Sequence, residues 1–207
     1  MSSLEPRYRV AREAARLLYT GASEEYKQAK EQAARSLGVE AMPSNYEVAV
    51  ELDALAGQME GDERNQLLYT MRDAALAIMR ALEEYSPLLV GSVWRGTARK
   101  GSDVDITVYS VQPGDVESTL SQSGYKVSNS EEVVVNKGGR TMRSRHIIVE
   151  LGVGFNVEIV VRPPEEKGEA DICEIYGDPK RGLGLTDLEK LMKTDPHRRF
   201  VPRRRRR

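Results

Sequence analysis

The chain has 207 residues, 40% of them hydrophobic and 30% charged, with net charge −1, one cysteine and two histidines. That size and balance suit a globular core arranged as one domain or two small ones, while the lone Cys173 excludes an internal disulfide and so few soft ligands argue against zinc, leaving oxygen ligands for any metal. No apolar run is long enough to span a bilayer, and residues 1–9 lack the apolar stretch of a signal peptide, so a cytoplasmic protein with no membrane partner is expected.

Charge is unevenly spread. Residues 1–90 carry ten Lys/Arg and fifteen Asp/Glu, and residues 91–207 carry twenty-one and seventeen. Much of the basic excess lies in Arg203–Arg207, a run of like charges with nothing to bury, expected to be disordered alone and to add only weak, nonspecific contact to nucleic acid.

The first third reads as helical throughout. Val10, Ala14, Leu17 and Leu18 share a side over Arg7–Thr20, which Gly21 stops. Ser23 is placed to cap a second helix running to Leu37, with a thin apolar side of Tyr26, Ala29, Ala33 and Leu37. Ser44 and Glu47 have the spacing of a capping box, and the helix they open carries Val48, Leu52, Leu55 and Met59 as a core-facing stripe. After Gly61-Asp62 a long helix follows, with Leu67, Leu68, Met71, Ala75, Ile78, Met79 and Leu82, ending before Pro87. Amphipathic packing accounts for the tyrosines and arginines of this region, and no catalytic constellation stands out in it.

The pattern changes at Leu88. Leu88-Leu89-Val90 is a short apolar run that stops at Gly91-Ser92, and a polar, basic connection leads to Asp103-Val104-Asp105-Ile106-Thr107-Val108-Tyr109. The latter alternates with period two, turning Val104, Ile106 and Val108 to a core and Asp103 and Asp105 the other way. Strand stability does not ask for two carboxylates so close together. A divalent cation between them would explain both, because Mg²⁺ is usually held by one or two carboxylates plus substrate phosphates. A turn without a side chain at Gly91 lets backbone N–H groups and the Ser92 hydroxyl approach phosphate oxygens, with Arg95, Arg99 and Lys100 supplying positive charge nearby. The run Gly91–Thr97 lacks the lysine of a P-loop.

Further on, Pro113-Gly114-Asp115 opens a short helix ending near Gly124. Glu132–Asn136 and Thr141–Leu151 read as two strands joined by a turn at Asn136-Lys137-Gly138-Gly139, and Phe155–Val161 as a third, ended by Pro163-Pro164. One more helix is expected over Thr186–Lys193. In the third strand Glu158 lies between Val157 and Ile159, and alternation turns it to the face of Asn156 and Arg162. Glu150 ends the preceding strand.

Gly91-Ser92, ten intervening residues, then Asp103-x-Asp105 resembles the signature of the DNA polymerase β-like nucleotidyltransferase superfamily. The resemblance covers roughly residues 67–162, and the Val-Gly-Ser…Gly-Thr run is similar to that of the much longer archaeal-type CCA-adding enzymes. It implies an α+β fold: a small mixed or antiparallel nucleotidyltransferase sheet with flanking helices, over residues 63–165. An all-helical region, 1–62, would precede it, and a C-terminal extension with the arginine tail, 166–207, would follow. It further implies transfer of a nucleoside monophosphate from an NTP to a hydroxyl, releasing pyrophosphate, with two Mg²⁺ ions. Asp103 and Asp105 would bind the metals, Glu158 would complete the site beside the attacking hydroxyl, and Gly91, Ser92 and Arg95 would contact the phosphates. The family more often has Asp at the place of Glu158, and Glu150 is the rival for this third acid. The acceptor stays open among an RNA 3′ end, a protein hydroxyl and a small molecule. The alternative is a catalytically silent nucleotide- or RNA-binding module of the same fold.

Overall fold

A computed structural model of the chain describes residues 4–137, 140–169 and 172–202. Gly138 and Gly139 of the expected turn and the run Arg203–Arg207 lie outside the described residues. The chain groups into two compact units, one of Met1–Arg64, Ile172–Pro179 and Pro202–Arg207, the other of Asn65–Asp171 and Lys180–Val201.

The first unit contains α1 (Leu4–Tyr19), α2 (Tyr26–Leu37) and α3 (Asn45–Glu60). Val10, Ala14, Ala29, Ala33 and Val48 are wholly buried in its core. The small alanines carry little apolar area each, but they let helix backbones approach closely. The capping box forms as expected: Ser44 Oγ accepts from the Glu47 backbone N–H at 3.3 Å, and the Glu47 carboxylate accepts from the Ser44 N–H at 2.7 Å. Two expectations fail here. Ser23 is buried and gives its hydroxyl to the Glu25 carbonyl, and α2 starts after Glu25 without a side-chain cap. The stripe on α3 also fades toward its end: Val48, Ala49 and Ala56 are buried, whereas Met59 is 65% exposed.

The second unit is built on a six-stranded sheet. Helix α4 (Asp62–Ala81), whose residues from Asn65 onward belong to this unit, leads to β1 (Leu88–Val90) and a five-residue helix, α5 (Gly91–Arg95). Then come β2 (Val104–Tyr109), α6 (Pro113–Gln122), β3 (Lys126–Lys137), β4 (Arg140–Glu150), β5 (Asn156–Arg162), β6 (Leu183–Gly184) and α7 (Leu185–Thr194). The spatial order is β3-β4-β5-β2-β1-β6. Among the described residues the only parallel pairing is β2 with β5, and the others are antiparallel, so the sheet is mixed.

Alternation makes the two sheet faces chemically different. Val104, Ile106 and Val108 of β2, Val157, Ile159 and Val161 of β5, and Ile147 and Val149 of β4 are buried in one core with Met71, Ile78 and Met79 of α4, Leu120 of α6 and Leu188 of α7. The opposite face carries Asp105, Thr107 and Tyr109 beside Glu158, Val160 and Arg162 in direct register.

One charged group lies inside the apolar side of α4. Arg72 is fully buried and donates to four backbone carbonyls: Val93 at 3.1 Å, Trp94 at 2.9 Å, Pro196 at 2.6 Å and Arg198 at 3.0 Å. Burial lowers its pKa to about 10 while the nearby Asp195 opposes the shift, so the guanidinium stays charged at neutral pH. It thereby fastens both α5 and the segment after α7 to α4. Gly96, at φ 72°, closes the same junction: a Cβ there would stand 2.9 Å from the Arg198 carbonyl oxygen.

Candidate active site

Two separate pairings bring the acidic residues together. Antiparallel register sets Val90 opposite Asp105, which puts Gly91, the next residue, over the Asp105 side chain. A Cβ at Gly91 would collide with the Asp105 carboxylate, and Gly91 also holds φ 68°, a backbone conformation few other residues accept. Parallel register sets Asp105 opposite Glu158 on the same face of the sheet. Two carboxylates on neighbouring strands, one of them beneath a glycine, form the centre of the site.

The electrostatics follow from that placement. Burial first, then the like charges of Glu158 and Asp103, raise the Asp105 pKa from 3.8 to about 7. Asp103, one residue before β2, is exposed, and its Oδ1 accepts from the Asn156 backbone N–H at 3.1 Å. That bond ties the start of β2 to the start of β5. Glu158 Oε1 stands 2.6 Å from His146 Nδ1, and His146 Nε2 stands 3.1 Å from Ser144 Oγ. Glu150 is elsewhere: it pairs with Lys126 at 2.6 Å on the exposed side of the β3–β4 ribbon.

A cleft of ≈ 290 Å³ runs along this face from Gly91 and Asp105, past Thr107 and Val160, to Tyr109, Arg162 and Lys180. Ser92 is half-buried in the first turn of α5. Arg95, expected as a phosphate contact, is buried rather than solvated. It ends α5, is 4% exposed, lies 4.5 Å from the Trp94 ring centroid and donates through Nη1 to the Phe200 carbonyl at 3.0 Å. The Phe200 N–H returns a bond to the Arg95 carbonyl at 2.9 Å, so this arginine is taken up in packing.

His146 and Arg72 carry weight at the site that sequence reasoning did not assign them. Each left a signal: His146 sits at period two from Ile148, opposite the strand of Glu158, and Arg72 is a charged residue inside the stripe Leu68-Met71-Ala75-Met79.

Residues 75–176 match the family model of the nucleotidyltransferase domain. The chain carries a nucleotidyltransferase domain. That span begins within α4, continues past β5, and contains Gly91, Ser92, Asp103, Asp105 and Glu158. Solved structures similar to part of the chain include a cytoplasmic RNA terminal U-transferase, at 17% identity and TM-score 0.33, covering 56% of this chain and 34% of that one. A mutant of the Cid1 poly(U) polymerase bound to MgATP is similar at 22% identity and TM-score 0.32, covering 48% and 35%. The chain thus spans about a third of the length of these structures. No curated protein matches the chain. Among the described residues no helix of the nucleotidyltransferase domain or of the first unit is long and apolar enough to cross a membrane.

Proposed function

We propose that the nucleotidyltransferase domain moves a nucleoside monophosphate from an NTP to a hydroxyl acceptor, releases pyrophosphate, and depends on Mg²⁺. The observation that carries this is the juxtaposition of Asp105, which lies beneath Gly91, with Glu158 on the neighbouring strand. Burying Asp105 beside two like charges, at a pKa of about 7, is costly for the protein alone and is relieved by a divalent cation. The donors are all carboxylate oxygens, as a hard cation prefers. Among the described residues, no three acids, histidines or cysteines are grouped closely enough to enclose an ion as they stand, so the exposed Asp103 side chain must turn toward Asp105 and Glu158 on binding.

In this proposal Asp103, Asp105 and Glu158 hold two Mg²⁺ ions, and Gly91 and Ser92 approach the phosphates through backbone N–H groups and a hydroxyl. Bound there, the ions supply neutralisation of phosphate charge and a more acidic attacking hydroxyl. The sheet supplies rigidity, since Asp105 and Glu158 sit within paired strands. The Arg72 bonds to α5 hold the Gly91-Ser92 turn against Asp105. The acceptor is an RNA 3′ end, a protein hydroxyl or a small molecule.

A second reading, a catalytically silent nucleotide- or RNA-binding module, is favoured by one observation: a Glu158 oxygen is already engaged by His146. One experiment separates the two. The protein and its Asp105→Asn variant are incubated with each α-labelled NTP, Mg²⁺, and total RNA, cell lysate or small-molecule extract. Label transferred by the wild type and not by the variant supports transfer and identifies the acceptor class. Nucleotide binding with no labelled product from any acceptor pool would support the silent module and sink the transferase.

A further inference from the structure

Glu158 does not stand alone on its face of the sheet. In the β4–β5 register His146 is opposite Val160 and Ile148 is opposite Glu158, so His146 is the diagonal neighbour of Glu158 across the strand pair. Its ring bridges two side chains: Nδ1 is 2.6 Å from Glu158 Oε1, and Nε2 is 3.1 Å from Ser144 Oγ. A carboxylate can only accept, so Nδ1 carries the proton, and in the neutral ring Nε2 accepts from the Ser144 hydroxyl. Ser144, His146 and Glu158 therefore form a directed chain, and all three are only half-exposed. The ring is pinned at both nitrogens, and it pins one of the two oxygens of Glu158.

We infer that His146 is a positioning residue for the acid site: by holding Glu158 Oε1 it fixes the carboxylate rotamer and leaves the second oxygen as the donor for a cation shared with Asp105. This rests on the metal-dependent reading given above. The physical reason is the one that governs carboxylate ligands in general, which work best when an outer hydrogen bond orients them, and whose loss costs about 10–100-fold in affinity or activity. A Glu has one more rotatable bond than an Asp, so at this position the need for such a bond is greater.

The test is Mn²⁺ binding, read from the free-ion EPR signal without NTP, on the wild type, His146→Phe, His146→Asn and Asp105→Asn, each first checked for a cooperative melt. Phenylalanine keeps a flat ring and removes the donor. Asparagine keeps an N–H near the position of Nδ1. The expected result is Mn²⁺ affinity about tenfold or more weaker in His146→Phe, largely restored in His146→Asn. With NTP, His146→Phe should lower kcat and leave KM for the NTP near the wild-type value. Wild-type affinity in His146→Phe, or equal loss in both His146 variants, would overturn the positioning role alone. If the wild type binds Mn²⁺ no better than Asp105→Asn, the metal-dependent reading itself fails and takes this inference with it.

Discussion

The Asp105 carboxylate occupies the space that a Cβ on Gly91 would need. The turn at the end of β1 and the acid on β2 are therefore a matched pair: a side chain at 91 needs a smaller one at 105. Gly91→Ala should destabilise the protein by about 1–3 kcal/mol, because it adds a left-handed strain to a collision. In an Asp105→Ala background the collision is gone and only the strain remains. The same substitution should then cost measurably less, and urea denaturation of the four proteins of the double-mutant cycle reads the difference. Strict additivity would mean that the two residues do not touch.

Asp105 should also make the metal-free protein sensitive to pH in an unusual direction. Its folded-state pKa of about 7 lies above the ordinary 3.8, so the folded protein binds the proton more tightly than the unfolded chain. Stability must then fall as pH rises between these values, by at most about 4 kcal/mol, and the loss is complete above the folded pKa. Asp105→Asn has no such group. It should be more stable than the wild type near about pH 8 and nearly equal to it near about pH 4, and Mg²⁺ should narrow the gap at high pH. A variant less stable than the wild type at high pH would show that the carboxylate is structural.

The two rival acids should separate cleanly. Glu158 is mid-strand beside Asp105, whereas Glu150 is exposed and paired with Lys126. Glu158→Gln should lower turnover by orders of magnitude while NTP still binds, since small displacements at a reacting centre cost about a hundredfold. Glu150→Gln should be nearly silent, because a solvent-exposed ion pair contributes little. Steady-state rates with the labelled NTP decide the matter, and the reverse pattern would exchange the two assignments.

Arg72→Met should be among the most damaging single substitutions. It keeps an unbranched apolar stem but leaves four carbonyls without their donor, at roughly 1–3 kcal/mol for each that water cannot reach. The expected loss in chemical denaturation is at least about 3 kcal/mol. Arg72→Lys should recover only part of it, because an ammonium has three donors and no planar fork.

What the sequence disclosed was local. The alternation of Val104, Ile106 and Val108 and of Val157, Ile159 and Val161 gave two strands and their buried faces, and Ser44 with Glu47 gave a helix start. The mixed sheet with helices around it matches the expected α+β class. The acids were visible as candidates, yet their adjacency depends on a parallel pairing between residues more than fifty positions apart, which no local pattern encodes. Arg95 was read as a phosphate contact and Arg72 was assigned no role, for a related reason. Charge suggests solvent, and only the fold shows the backbone carbonyls that satisfy these guanidiniums. Met59 is the converse: helical spacing suggested a buried face, but the alanines beside it provide the close packing. The two-residue β6 is too short to leave a period at all.

The clamp formed by Arg72 has a meaning in time as well as in space. Helix α5 carries the Gly91-Ser92 turn, but two of the four bonds of the guanidinium that anchors it go to Pro196 and Arg198, and Phe200 closes on Arg95. On a ribosome adding about 5–20 residues per second, those partners emerge several seconds after the turn itself. The nascent sheet must wait for them. A growing chain would hold every acid of the site and still have a loose Gly91-Ser92 turn until residues 196–200 have been made.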